Sequence, residues 1–179
     1  TACATDRRFF TQKVGLFLPS GDARNEYYEA ALRRGVEIVE LRSASRFDAR
    51  LVRTIIRAFK AHNIHLVHSH EYKGDILAYL VSRIHRIPIM STIHGWIVNN
   101  VKARIYIGMG RRVLPRFDRV VAVSDETRAR VLGCGVPPDG LAVIHNAIVT
   151  EHYESEAHPR GVFRARFGIP ADAYVVGYI

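Results

Sequence analysis

Three short clusters hold the residues whose types and spacing could do chemistry: His68-Ser69-His70-Glu71-Tyr72-Lys73, then His94-Gly95-Trp96, then His145-Asn146. Imidazole changes charge near neutral pH, donates or accepts a hydrogen bond when neutral, and is the commonest metal ligand. Each cluster follows a short apolar run with the composition of a strand. In an open α/β sheet, ligands bind outside the carboxyl ends of the strands. His94 is the clearest case, because it stands directly after Ile89 to Ile93, a run suited to a strand buried on both faces. The glycine behind it allows a sharp turn and leaves room for a ligand. A single histidine at a strand end can equally well be a cap on nearby backbone. Four histidines at three ends of one sheet edge favour function, and His68 and His70 would point the same way because side chains alternate along a strand.

The elements that must position them follow from periodicity. Val14 to Leu18, Val36 to Leu41, Ile64 to His68, Ile89 to Ile93, Arg119 to Val123 and Leu141 to Ile144 read as strands. Helices are predicted between them. One, capped by Asp22 or Asn25, ends at Gly35. One opens at Asp48 with Leu51, Val52, Ile55, Ile56 and Phe59 on its inner face. One begins at Gly74-Asp75 and stops before Pro88, where the residue preceding proline resists helical geometry. One runs from Val101 to Leu114, and one is capped by Ser124. This β-α alternation implies a mainly parallel sheet covered on both faces. Residues 1–12 read as an irregular lead-in and 13–150 as the α/β domain. Residues 151–179 read as a linker, a short helix at Phe163 to Phe167, and a further strand from Tyr174 that opens a second domain.

Composition removes several classes. The chain has 179 residues, 48% hydrophobic and 24% charged, as expected of a globular domain with a full core. No apolar run nears the roughly 18 residues that span a bilayer, and no signal sequence opens the chain. Two cysteines, Cys3 and Cys134, make no disulfide framework, so a cytoplasmic setting is expected. The net charge of +9 can attract nucleic acid, anionic lipid or phosphorylated ligands, but no nucleic-acid module accompanies it. The helix of Lys102, Arg104, Arg111, Arg112 and Arg116 could touch an anionic membrane peripherally; packing its apolar side inward is the simpler expectation. His68-x-His70 with Glu71 and His94 could ligate zinc. The barrel hydrolases that use such a pair need about 250 residues, and no metal is expected. Phosphate-loop, dinucleotide and nucleophile-elbow motifs are missing.

Leu66-Val67-His68-Ser69-His70-Glu71-Tyr72-Lys73-Gly74-Asp75 and Pro88-Ile89-Met90-Ser91-Thr92-Ile93-His94-Gly95-Trp96 resemble the amino-terminal domain of glycosyltransferase family 4. Phe117 to Ser124 and Val143 to Ile148 are similar to it in the same order. The resemblance implies a Rossmann-like parallel sheet with helices on both faces, the amino-terminal half of a GT-B enzyme. It implies transfer of a sugar from a nucleotide-sugar donor to a sugar, lipid or phosphorylated acceptor, with retention and without a required metal or other cofactor. His94 would be catalytic, beside the transferred sugar. His70, Tyr72, Lys73, Gly95 and Arg104 would line the acceptor side, with Lys73 and Arg104 able to meet a phosphate. The sequence departs from the family in its opening: residues 1–12 contain no glycine, and no glycine-rich loop follows a first strand there. It also has Asn146-Ala147 in place of Asn-Gly, and lacks the donor domain's glutamates. A fragment inactive by itself is therefore expected, completed by a carboxy-terminal donor domain. The alternative is a non-catalytic basic α/β module that binds a phosphorylated ligand or an anionic membrane surface.

Overall fold

A computed structural model describes residues 6–19, 21, 26–43, 50–96, 100–147 and 160–176. The elements, in chain order, are β1 (Lys13–Pro19), α1 (Glu26–Arg33), β2 (Glu37–Ser43), α2 (Arg50–Ala61), β3 (Val67–Ser69) and α3 (Tyr72–His85). They continue with β4 (Ile89–Ile93), α4 (Val101–Val113), β5 (Arg119–Ala122), α5 (Asp125–Leu132), β6 (Leu141–Val143) and α6 (Arg160–Phe167). The chain divides into two compact units, Thr1–Ile144 and His145–Ile179. The predicted caps Asp22 and Asn25, and the helix opening at Asp48, lie outside the described residues.

The first unit is α/β and Rossmann-like, with parallel strands and helices on both faces. Every strand pair is parallel, and the ladder is divided in two: β1 pairs with β2, and β3-β4-β5-β6 form a four-stranded sheet in chain order. Such pairing requires a crossover between successive strands, which the helices supply. β3 is shorter and later than the hydrophobic run suggested. Ile64 to Leu66 lie before the ladder begins, because Val67 is the first residue with a register partner, Ile89.

Two apolar clusters hold this unit together. One joins Ile89 and Ile93 of β4, Val120 of β5, Val131 of α5 and Ala78 of α3 with Leu114, Phe117 and Val136. The other joins Leu41 of β2 with Leu51 and Ile55 of α2 and Val81 of α3. The helix α3 thus contributes to both, through residues three apart on one stripe. Local signals set its length. Arg86 ends it in the left-handed conformation, at φ 53°, just before Ile87-Pro88. Asp118 ties the start of β4 to the turn before β5: its carboxylate accepts from the Ile89 amide at 2.8 Å, and its own amide donates to the Ile89 carbonyl.

Helix α4 lies on α3, with Ala103, Ile107 and Gly110 buried and Arg104, Arg111 and Arg112 exposed. Val101 and Ile105 are also exposed, so its apolar side is only partly covered. Asn100 caps it by accepting from the Ala103 amide. Gly110 is required by contact rather than conformation. A Cβ there would stand 3.2 Å from Tyr72 Cβ and 3.6 Å from Tyr72 Cα, at the first residue of α3. Ser124 caps α5 by accepting from the Thr127 amide at 3.1 Å, as predicted.

In the second unit, α6 ends at Gly168, whose φ is 62°. The Arg164 guanidinium donates to the carbonyls of Pro170 and Ala173 and folds the following turn back on the helix. The strand predicted from Tyr174 is not formed over 174–176. Tyr174 and Val176 are exposed there, and among the described residues no strand pairs with them. Residues 177–179 lie outside the description. Among the described residues, no helix is long and apolar enough to cross a membrane.

Gly110→Val should overpack the α3–α4 contact and cost about 1–3 kcal/mol. Urea denaturation measures this, and a value near zero would mean that the two helices separate freely at Tyr72.

Candidate functional site

The carboxyl ends of β3 and β4 lie side by side, in register Val67↔Ile89, His68↔Met90 and Ser69↔Ser91. A buried carboxylate fixes them to the following helix. Asp75, 2% exposed in the first turn of α3, accepts from Ser69 Oγ and Ser91 Oγ, both 2.6 Å from the same oxygen, Oδ1. Ser69 Oγ also lies 3.3 Å from the Met90 carbonyl, but a hydroxyl has one hydrogen to give and the shorter contact takes it. Contacts this short are typical of hydroxyls donating to a carboxylate. Burial pushes the Asp75 carboxyl above the usual carboxylate range, against the lowering by the two serines.

The histidines emerge from this clamp. His68 Nε2 is 2.8 Å from the hydroxyl of Thr92, itself buried on β4. The His68 and His70 rings are 4.3 Å apart between centroids, tilted by 32°. His70 Nδ1 lies 3.3 Å from His94 Nε2, and those rings stack at 5.6 Å. Partial burial first, then His68 and His94, lowers the His70 ring to about pKa 4; burial and His94 lower that of His68. Among the described residues, no group of three or more His, Cys, Asp or Glu is placed to hold a metal ion.

Around the rings, Gly95 turns with φ 113°, open to space where a side chain would sit. Trp96 packs against the core with the Arg111 guanidinium 4.4 Å above its ring. The Lys73 ammonium lies 4.6 Å over the Phe17 ring of β1, and Tyr72 leans on Tyr106 of α4 at 5.8 Å. The structure therefore gathers His68, His70, His94, Gly95, Tyr72 and Lys73 at one edge. Arg104 is exposed in the first turn of α4, and among the described residues it makes no hydrogen bond or ring contact to the histidines. His145 belongs to the second unit. Cys134 is no nucleophile of this site: burial raises its thiol above the ordinary range, and it donates to the Arg130 carbonyl. Sequence reasoning missed Asp75, Ser69, Ser91 and Thr92. The available signal was an aspartate directly preceding the inward-facing run Ile76-Leu77.

A sequence model of Glycosyltransferase Family 4 matches residues 12–152. No curated protein sequence matches the chain. Among solved structures, HepE of Anabaena in complex with UDP and glucose is similar, with TM-score 0.70 and 18% identity over 87% of this chain. HepE in complex with UDP-glucose gives 0.69 and 15% identity over 87%. A glycosyltransferase from Rickettsia africae gives 0.64 and 13% identity over 89%. At these identities the likeness is one of fold. The chain spans 42% of the first of these structures and 50% of the other two, about half their length or less.

Two outcomes follow from the clamp and the rings. Asp75→Ala strands two serine hydroxyls and should cost about 2–4 kcal/mol, whereas Asp75→Asn keeps an acceptor and should cost less than about 1.5 kcal/mol; thermal and urea melts separate them, and equal losses would refute the clamp. For His70, the unfolded chain takes a proton near the ordinary 6.5 while the folded chain resists until about 4, so the unfolded state binds more protons between those values. Stability contributed by neutral His70 is present above that window and lost as pH falls through it. Asp75, raised by burial, contributes with the opposite sign. Urea midpoints between pH 7 and 4 should fall with a slope that His70→Asn flattens; an unchanged slope would refute the assignment.

Proposed function

The chain belongs to glycosyltransferase family 4, and on that premise we propose that it is the acceptor-side half of a GT-B enzyme moving a sugar from a nucleotide-sugar donor to an acceptor. The observation that carries the reading is His94. It stands at the carboxyl end of β4, hydrogen-bonded to His70, with the open backbone of Gly95 beside it.

The site's chemistry supports the assignment. A histidine at a strand end can donate to, or accept from, one hydroxyl of a sugar, which orients the anomeric carbon without any group being transferred to the protein. Orientation of this kind lowers a barrier by reducing the freedom lost at the transition state. Gly95 lets the ligand approach backbone rather than side chain. Lys73 and Tyr72 offer a fixed cation and an aromatic face on the acceptor side. Lys73 is suited to a phosphate as a point charge, and Arg104 as a planar fork. The HepE complexes with UDP and UDP-glucose support a nucleotide sugar as donor class. We read transfer as retaining and independent of a required metal. Residues 151–179 are read as the linker and the beginning of a donor domain, in keeping with a chain half the length of its structural neighbours. On this reading the fragment does not turn over alone, and the assembled enzyme works in the cytoplasm, in peripheral contact with the membrane where its acceptor is a lipid.

The test uses the complete reading frame. Release of free nucleotide from a panel of nucleotide sugars, with cell extract as acceptor source, should be donor-dependent and fall at least about a hundredfold in His94→Ala. No release with any donor from folded protein would favour a basic binding module instead. Release unaffected by the substitution would keep the transferase and remove His94 from its site.

A further inference from the structure

The resemblance to the family places His70 on the acceptor side, but its geometry gives it a different partner. We propose that His70 is a positioning residue which, backed by His68, fixes the ring orientation and the tautomer of His94. The inference rests on the reading of His94 as the residue that meets the transferred sugar.

Three contacts in series carry it. The first is anchored: His68 Nε2 sits 2.8 Å from the hydroxyl of Thr92, which is buried within β4. The second is a tilted stack, His68 on His70 at 4.3 Å between ring centroids. The third is the 3.3 Å approach of His70 Nδ1 to His94 Nε2. Behind the row, the Asp75 clamp holds Ser69 and Ser91, the residues between His68 and His70 and three before His94.

The third contact links the two rings' tautomers. A neutral imidazole carries one hydrogen, and one nitrogen of the facing pair must donate while the other accepts. If His70 holds its hydrogen on Nδ1, then His94 Nε2 is bare and His94 Nδ1 carries a hydrogen that can be given to a ligand. If His70 holds its hydrogen on Nε2, then His94 Nε2 donates and its Nδ1 is a bare acceptor. The contact therefore couples the two rings, so that the tautomer held by His70 goes with a donor or with an acceptor on the free side of His94. Protonating both rings would set two N–H groups against each other and break the contact. Partial burial and the two flanking imidazoles keep His70 neutral down to about pH 4. The other titratable or charged groups nearest the row are Glu71, Lys73 and Asp75 at the start of α3 and Arg111 of α4, which lies over Trp96; Arg83 and His85 stand at the far end of α3. Asp75 is engaged by two serines, and Lys73 lies over the Phe17 ring.

The tautomer of His94 can be read without any transferase activity. Histidine-selective 15N labelling of the chain, with long-range proton–nitrogen correlation at pH 7, distinguishes one neutral tautomer from an exchanging mixture. Wild type should give a single tautomer for His94. His70→Ala should give the averaged mixture. His70→Asn, whose amide can stand in for Nδ1, should restore a single form. In the complete enzyme, His70→Ala should lower kcat roughly ten- to a hundredfold with little change in KM for the donor, and His70→Asn should recover much of it. A mixed His94 in wild type, or a single tautomer that survives His70→Ala, overturns the proposal. The two readings fail separately. A His94→Ala enzyme that loses activity while His70→Ala leaves the tautomer untouched removes this inference alone. A tautomer switch in a protein without nucleotide release removes the transferase reading alone.

Discussion

One buried carboxylate organises this edge of the molecule. Asp75 sits in the first turn of α3 and receives both serine hydroxyls on one oxygen, 2.6 Å from each. Ser69 and Ser91 are register partners on adjacent strands, so a single acceptor bridges β3, β4 and the helix that follows β3. Burying a carboxylate is costly, and desolvation outweighs the two hydroxyls in setting its proton affinity. The position at a helix amino terminus recovers part of that cost, since the dipole there favours negative charge. An apolar replacement could pack more cheaply but would lose direction. The carboxylate fixes where the strands end relative to the helix, and the histidines are attached to those ends.

The same helix joins the two halves of the sheet. Val81 reaches the cluster under β2, and Ala78 the cluster under β4. Among the described residues the two ladders share no strand pairing, so the relation between Phe17 of β1 and Lys73 of α3 depends on helix packing rather than on a shared hydrogen-bond ladder. Gly110 of α4 permits the close approach that seats Tyr72. Stability and site geometry thus share their parts: the first turn of α3 is at once a clamp, a helix–helix contact and the wall of the candidate site.

How much of this could be read from residues alone depends on whether the signal is local. Alternation of apolar runs and amphipathic helices, the Ser124 cap and the stop before Pro88 are local, and they hold. The placement of His94 after a fully buried strand is local too. Pairing is not. Nothing in Val14 to Leu18 says that its ladder stops after β2, and nothing in Ile64 to Leu66 says that pairing begins only at Val67. Asp75 read as a helix start because acids are common there; its burial depends on Ser69 and Ser91, six and sixteen residues away in sequence. Tyr174 had the composition of a strand, but among the described residues no strand pairs with it. The three-ring row was half legible: alternation puts His68 and His70 on one side, although His70 stands just past the end of β3, while the contact to His94 depends on strand register.

The electrostatics of the edge follow from these placements. The chain carries a net charge of +9, yet two rings at the site, His68 and His70, are held against gaining charge. Burial and one another's proximity oppose protonation of His68 and His70. Lys73 is laid over Phe17 and Arg111 over Trp96, where an aromatic face attracts a cation without neutralising it. Neutral His68 and His70, flanked by cations held on aromatic faces, separate two tasks that a protonated histidine would confuse. On the transferase reading proposed above, hydroxyl groups would be read by geometry along the row, and anionic groups by charge at its margins. A ligand bearing both, such as a sugar with a phosphate at one end, would be oriented by that division alone, and the orientation would persist through the pH range in which His70 remains neutral.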